Sequence, residues 1–121
     1  MLEKIHHLVL FSTNTEIAKE WFERVGFAYS HGFEGMHWFQ LGQTEIMLHP
    51  ADEANPGDTA IHIAVKDVHT LFNHVVAQDL EPYEHSNPNQ MLSEPVTQPW
   101  GDVEFELKTP DGHKIAFTQI K

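Results

Sequence analysis

Apolar positions along this chain switch between two periods. Residues 5–11, IHHLVLF, form a short β-branched and aromatic run with strand character. In STNTEIAKEWFERVGF the period changes. Ile17, Ala18, Trp21, Phe22 and Val25 recur at helical spacing, Thr13 and Glu16 suit a capping box, and Gly26 supplies the stop. Three strand-like runs follow, FAYSHGF, MHWFQL and EIMLH, separated by glycine-bearing turns. The second half repeats this order. TAIHIAV reads as a strand, and Asp67 can cap a helix carrying Val68, Leu71, Phe72, Val75 and Val76. A Pro- and Asn-rich stretch from Glu81 to Pro99 holds an expected strand around Met91 and Leu92, and VEFEL and KIAFTQI follow it.

The halves match piece by piece. IHHLVL resembles AIHIAV, with His7 and His62 in register. Ala18, Trp21, Phe22 and Val25 have the spacing of Val68, Leu71, Phe72 and Val75, and FQL-turn-IMLH resembles FEL-turn-IAFT. The expected fold is therefore α+β: a single domain over 1–121, built of two tandem βαβββ units, about 1–55 and about 56–121. Two curled sheets facing one another would leave a cup between the pseudo-repeats, a suitable place for a ligand.

Strand alternation assigns the faces. If Gly42 and Gln43 form a two-residue turn, Leu41 pairs with Thr44 and Trp38 sits opposite Met47. One face is then Trp38, Gln40, Glu45, Met47 and His49. The other, Phe39, Leu41, Ile46 and Leu48, covers the helix. By repeat correspondence Trp38 matches Glu104, Gln40 matches Glu106, Met47 matches Ala116 and His49 matches Thr118. Glu104 and Glu106 are thus expected on the ligand face, with Glu106 nearer the turn and solvent. Trp38 and Trp100 offer stacking surfaces or plain wall packing.

Composition narrows the classes. Apolar residues at 40% and charged ones at 21% describe an ordinary globule. No window is apolar enough to span a membrane, and MLEKIHHLVLF runs into a strand pattern without a basic leader, so a cytoplasmic protein is expected. With no cysteine there is no disulfide framework and no thiol chemistry. A formal charge of −11 disfavours nucleic acid; such a surface would draw in a cationic ligand, and it equally serves plain solubility. Ten histidines are many for this length, and only His7 and His62 stand out by position. They read equally as metal ligands or as core-edge residues bonded to backbone.

IHHLVLF, LGQTEIMLHP, AIHIAVKDV and QPWGDVEFELKTPDGHKIAF, in that order over nearly the whole chain, resemble the vicinal oxygen chelate superfamily. This superfamily includes glyoxalase I, methylmalonyl-CoA epimerase, fosfomycin-resistance enzymes, extradiol dioxygenases and bleomycin-resistance proteins. The resemblance implies a divalent metal held from the first and last strands of each unit. By position its histidines land on His7 and His62, and its carboxylates or amides land on Met47 and Ala116, which cannot bind a hard cation. His49 or Glu104 would then have to complete a rearranged set. Otherwise the chain binds a molecule without changing it, as in the bleomycin-resistance branch, whose pattern is matched through Trp100, Gly101, Glu104 and Phe105. The ligand-binding candidates are Trp38, Met47, His49, Trp100, Glu104 and Ala116. The resemblance also implies a homodimer. Whether the chain is an enzyme, and which residues would be catalytic, stays open between a binder and a metal-dependent lyase, isomerase or dioxygenase.

Overall fold

A computed structural model describes residues 1–119, so Ile120 of the expected strand KIAFTQI lies outside the described residues. By their contacts, Met1–Gly57 with Thr109–His113 form one unit, and Asp58–Lys108 with the residues from Lys114 on form the other.

The first unit runs β1 (His7–Ser12), α1 (Thr15–Val25), β2 (Ala28–Phe33), β3 (Met36–Leu41) and β4 (Thr44–Pro50). Its sheet has the order β1-β4-β3-β2, with β1 parallel to β4 and the other pairs antiparallel. Helix α1 buries Ala18, Trp21, Phe22 and Val25, and the Phe22 ring meets Phe27 at 4.8 Å and Phe39 at 5.2 Å. Ile17, expected in this stripe, is exposed instead, because it lies one position off the face that the other four share. The cap also differs from the expected box. Asn14 is the N-cap, and its side chain accepts from Ile17 N–H at 3.2 Å. Thr13 is engaged elsewhere: its N–H and hydroxyl donate to Asp111 Oδ1 at 2.9 and 3.0 Å. Gly26 closes the helix at φ 118°, the left-handed conformation that glycine adopts without a Cβ penalty.

The second unit runs β5 (Ala60–Ala64), α2 (Val68–Ala77), β6 (Val96–Thr97), β7 (Val103–Lys108) and β8 (Lys114–Gln119), with sheet order β5-β8-β7-β6. Asp67 caps α2 as expected, accepting from the His69 and Thr70 N–H groups. Phe72 meets Phe105 at 5.4 Å and Phe105 meets Phe117 at 5.2 Å, while Val76 at the helix end stays partly exposed. The strand expected around Met91 and Leu92 is displaced to Val96–Thr97. Leu92 N–H bonds to Pro82 O outside the ladder, and the edge of β7 is taken by Val96 and Thr97 and, through a single bridge, by Tyr83.

Candidate functional site

In each sheet one face carries the helix and the other carries polar and aromatic side chains. The two-residue turn at Gly42–Gln43 forms as expected, with Leu41 opposite Thr44 and Trp38 opposite Met47. Cross-strand pairing then sets three rows on the helix-free face of the first sheet. His49 and Phe11 make one, Trp38, Met47 and Val9 the next, and Gln40, Glu45 and His7 the third. A register shift between Tyr29 and His31 on β2 brings His31 opposite Trp38, and the two rings stack at 4.5 Å and 8°. One face of Trp38 is therefore covered by a neighbour that strand alternation alone would not place there. His49 Nδ1 donates to Pro50 O at 2.7 Å, and the His7 and His6 Nδ1 atoms lie 2.8 Å apart.

On the second sheet the corresponding face carries its charge in the middle. Val96, Glu104, Thr118 and Ala64 form one row, and Tyr83, Glu106, Ala116 and His62 form the next. Glu104 and Glu106 are only 4% and 5% exposed, as far from solvent as the core. Glu106 is thus no nearer solvent than Glu104, contrary to its expected place by the turn. Tyr83 bridges Glu106 along that edge of β7, and His85 reaches its carboxylate. Thr118 Oγ1 donates to Glu104 Oε2 at 3.0 Å, and His62 Nδ1 lies 3.7 Å from the same oxygen. Glu106 Oε2 accepts from His85 N–H at 2.9 Å, and His85 Nδ1 is 3.3 Å away. Glu84 Oε1 lies 3.0 Å from that same ring nitrogen. Ser86 donates to the other Glu84 oxygen, and this bond is the main reason the Glu84 carboxyl sits below the ordinary carboxylate range. Trp100 stands exposed on the turn leading into β7, its indole N–H donating to Asp102 at 3.2 Å.

The strand registers revise the repeat correspondence. Met47 pairs with Val9 across β1, whereas Ala116 pairs with His62 across β5. Taken from Met47 and Ala116, the counterpart of His62 is Val9, and His7 lies one row further along. Likewise Trp38 corresponds to Glu106 rather than Glu104, because Met47 faces Trp38 and Ala116 faces Glu106. The cause is turn length. Lys108 pairs with Lys114, so the second hairpin turns through Thr109–His113, whereas the first uses only Gly42 and Gln43. Tyr83, Glu84 and His85 were missed by sequence reasoning, since YEH sits in an aperiodic stretch where only the bridge to Glu106 reveals a face.

A divalent metal of the kind the resemblance implies is poorly matched by these side chains. Met47 offers a thioether and Ala116 a buried methyl. His62 and Glu104 bring two donors together, with Glu104 Oε2 already accepting from Thr118. Among the described residues no group of three or more His, Cys, Asp or Glu is placed to hold a metal ion. Hard cations take six or more oxygens and zinc usually four ligands, so two donors fall short. What the face presents instead is a pair of buried carboxyl groups. Its neighbours are a hydroxyl, a backbone N–H and imidazoles.

Residues 4–117 match the family model described as the Glyoxalase/Bleomycin resistance protein/Dioxygenase superfamily. No curated protein matches the chain. Among solved structures, a glyoxalase family protein from Bacillus anthracis shares 20% identity at a TM-score of 0.78, covering 100% of this chain and 98% of its own. A glyoxalase/bleomycin resistance protein/dioxygenase from Nocardioides gives 16% and 0.75, covering 98% and 84%. Lactoylglutathione lyase from Agrobacterium tumefaciens gives 15% and 0.73, covering 98% and 94%. At these identities the likeness is one of fold.

Proposed function

We propose that this chain, which belongs to the glyoxalase/bleomycin resistance protein/dioxygenase superfamily, binds a flat, cationic small molecule on the carboxylate-bearing face of its second sheet and leaves it chemically unchanged. The observation that carries the reading is the burial of Glu104 and Glu106 side by side on β7, at 4% and 5% exposure. A buried carboxylate is costly unless a positive or hydrogen-bonding group compensates it. Thr118 and the His85 N–H supply part of that, and a cationic ligand would supply the rest. The Coulombic gain is roughly 1 kcal/mol per close pair in water and more where water is excluded. Trp100, exposed beside Asp102, is the stacking candidate in this unit, worth about 0.5–2 kcal/mol against a cation. Trp38, Met47 and His49 are further ligand-binding candidates on the first sheet, and pairing of two copies is part of the same reading.

A thermal-shift screen of cationic aromatics, coenzyme A thioesters and glutathione adducts tests this. Cationic aromatics should stabilise the protein, and Glu104→Gln should abolish the shift. Stabilisation by the anionic thioesters alone would overturn the reading. The nearness of His62 to Glu104 supports a second reading, a metal-dependent lyase, isomerase or dioxygenase with a rearranged ligand set that includes these two residues. Elemental analysis of protein purified without chelator separates the two: stoichiometric metal would favour the enzyme.

A further inference from the structure

The segment from His85 to Pro95 leaves the edge of β7 after Tyr83 and rejoins it at Val96. Along its length it bonds largely to itself and to the residues just before it. Asn87 N–H donates to Glu84 O, Gln90 N–H to Asn87 O, Asn87 Nδ2 to Gln90 Oε1 and Leu92 N–H to Pro82 O. Its tie to the carboxylate face is His85, whose N–H and ring Nδ1 lie 2.9 and 3.3 Å from Glu106 Oε2. From this geometry we infer that His85 latches the segment His85–Pro95 to the buried Glu106 carboxylate, and that protonation of His85 tightens the latch.

The argument is one of donors and charge. Nδ1 of His85 faces two carboxylates, Glu84 Oε1 at 3.0 Å and Glu106 Oε2 at 3.3 Å. A neutral imidazole carries one N–H and no charge, and in the tautomer protonated at Nε2 it turns a lone pair on both acids. An imidazolium offers N–H and a positive charge to both. Histidine is the side chain that changes charge between pH 5 and 8. The other charged or titratable groups at this end of the face are Tyr83, opposite Glu106; His62, in the same row; Lys108, whose Nζ lies 5.6 Å from the Tyr83 ring centroid; and Lys114, which pairs with Lys108 and reaches Asp58 at 3.4 Å. Ser86, by its hydrogen bond, holds the Glu84 carboxyl below the ordinary carboxylate range. A cationic ligand on this face would compete with His85 for the Glu106 carboxylate. That last consequence rests on the binding reading above; the latch does not.

Amide hydrogen exchange of peptides covering 84–95, corrected for the intrinsic effect of pH, tests the latch without any ligand. Between about pH 8 and about pH 5.5 the native segment should become more protected, by about threefold, as expected for one partly exposed charged pair. His85→Gln should remove the dependence, and its exposed ring makes misfolding of that variant no concern. Glu106→Gln should do the same. Equal or lower protection at the lower pH, or a pH dependence that survives in His85→Gln, would overturn the latch. The ligand screen can fail while the exchange result stands, so the two readings are separable.

Discussion

Tyr83 shows how much one side chain can decide. Its hydroxyl is buried without a hydrogen-bond partner among the described residues. Burial, and then the charge of Glu106, push its phenol up from 10.0 to about 12. A phenol held above its ordinary value keeps its proton longer folded than unfolded. The unfolded chain therefore carries fewer protons through that window, and stability falls as pH rises from about 10 towards 12. Tyr83→Phe should flatten this fall relative to the native protein in urea melts run from pH 9 to 11. At pH 7 the variant should be no less stable, since removing an unpaired buried hydroxyl leaves nothing newly unsatisfied. A loss of more than about 1 kcal/mol at pH 7 would mean that the hydroxyl has a partner, such as a bridging water. His37 is the contrasting case in the first unit. It is buried as well, but its Nε2 donates to Glu16 at 2.7 Å and its Nδ1 lies 3.0 Å from the Tyr29 hydroxyl. Both nitrogens are satisfied, and α1 is tied to the β2–β3 edge through them.

At the scale of elements, caps and turns separate what the sequence discloses from what it hides. Asn14→Ala should cost about 1 kcal/mol in chemical denaturation, because it strips the acceptor from the Ile17 N–H. Thr13→Val should also destabilise, but through Asp111 and not through the helix cap. Thr13 and Asn14 both fit a cap on sequence grounds, and only the competing pull of Asp111 decides between them. The first hairpin was legible because Gly42–Gln43 admits one tight pairing, so Trp38 and Met47 could be placed on one face by counting. The second was not. Thr109–His113 allows several registers, and the similar letters of FQL and FEL drew Phe39 onto Phe105, two residues from where Met47 and Ala116 put it. His7 and His62 were misaligned for the same reason: short strands carry no internal marker of register, and their partners on β4 and β8 set it. The charged face itself was readable from alternation in VEFEL. Its burial was not, since that depends on Tyr83 and the edge beyond it, where no period guides the eye.

At the scale of the molecule, the two units are not two consecutive stretches of sequence. The turn Thr109–His113 sits between β7 and β8 of the second unit, yet its contacts belong to the first. Asp111 Oδ1 takes both the N–H and the hydroxyl of Thr13, and His113 Nε2 donates to Phe11 O at 2.8 Å. Gly112, at φ 90°, lets the turn run close to Pro56, where an added Cβ would stand 3.3 Å from the ring. The consequence is thermodynamic. Residues 1–57 without this turn lose the acceptor for Thr13 and the donor for Phe11, and the second hairpin cannot fray at its tip without releasing them. Units that the chain crosses between more than once in this way melt together, while units joined by a single linker melt apart. Asp111→Ala should therefore cost about 1.5–3 kcal/mol, the range for hydrogen bonds made to a charged group. Combined with His113→Ala, it should broaden the single denaturation transition of the native protein. Circular dichroism and tryptophan fluorescence followed in parallel check this. Trp21 lies in the first unit and Trp100 in the second, so single-tryptophan variants report each unit separately. In the native background their curves should coincide. In the double variant the Trp21 curve should shift to lower denaturant than the Trp100 curve. Coincident curves in the double variant would show that the turn does not join the two units in one transition.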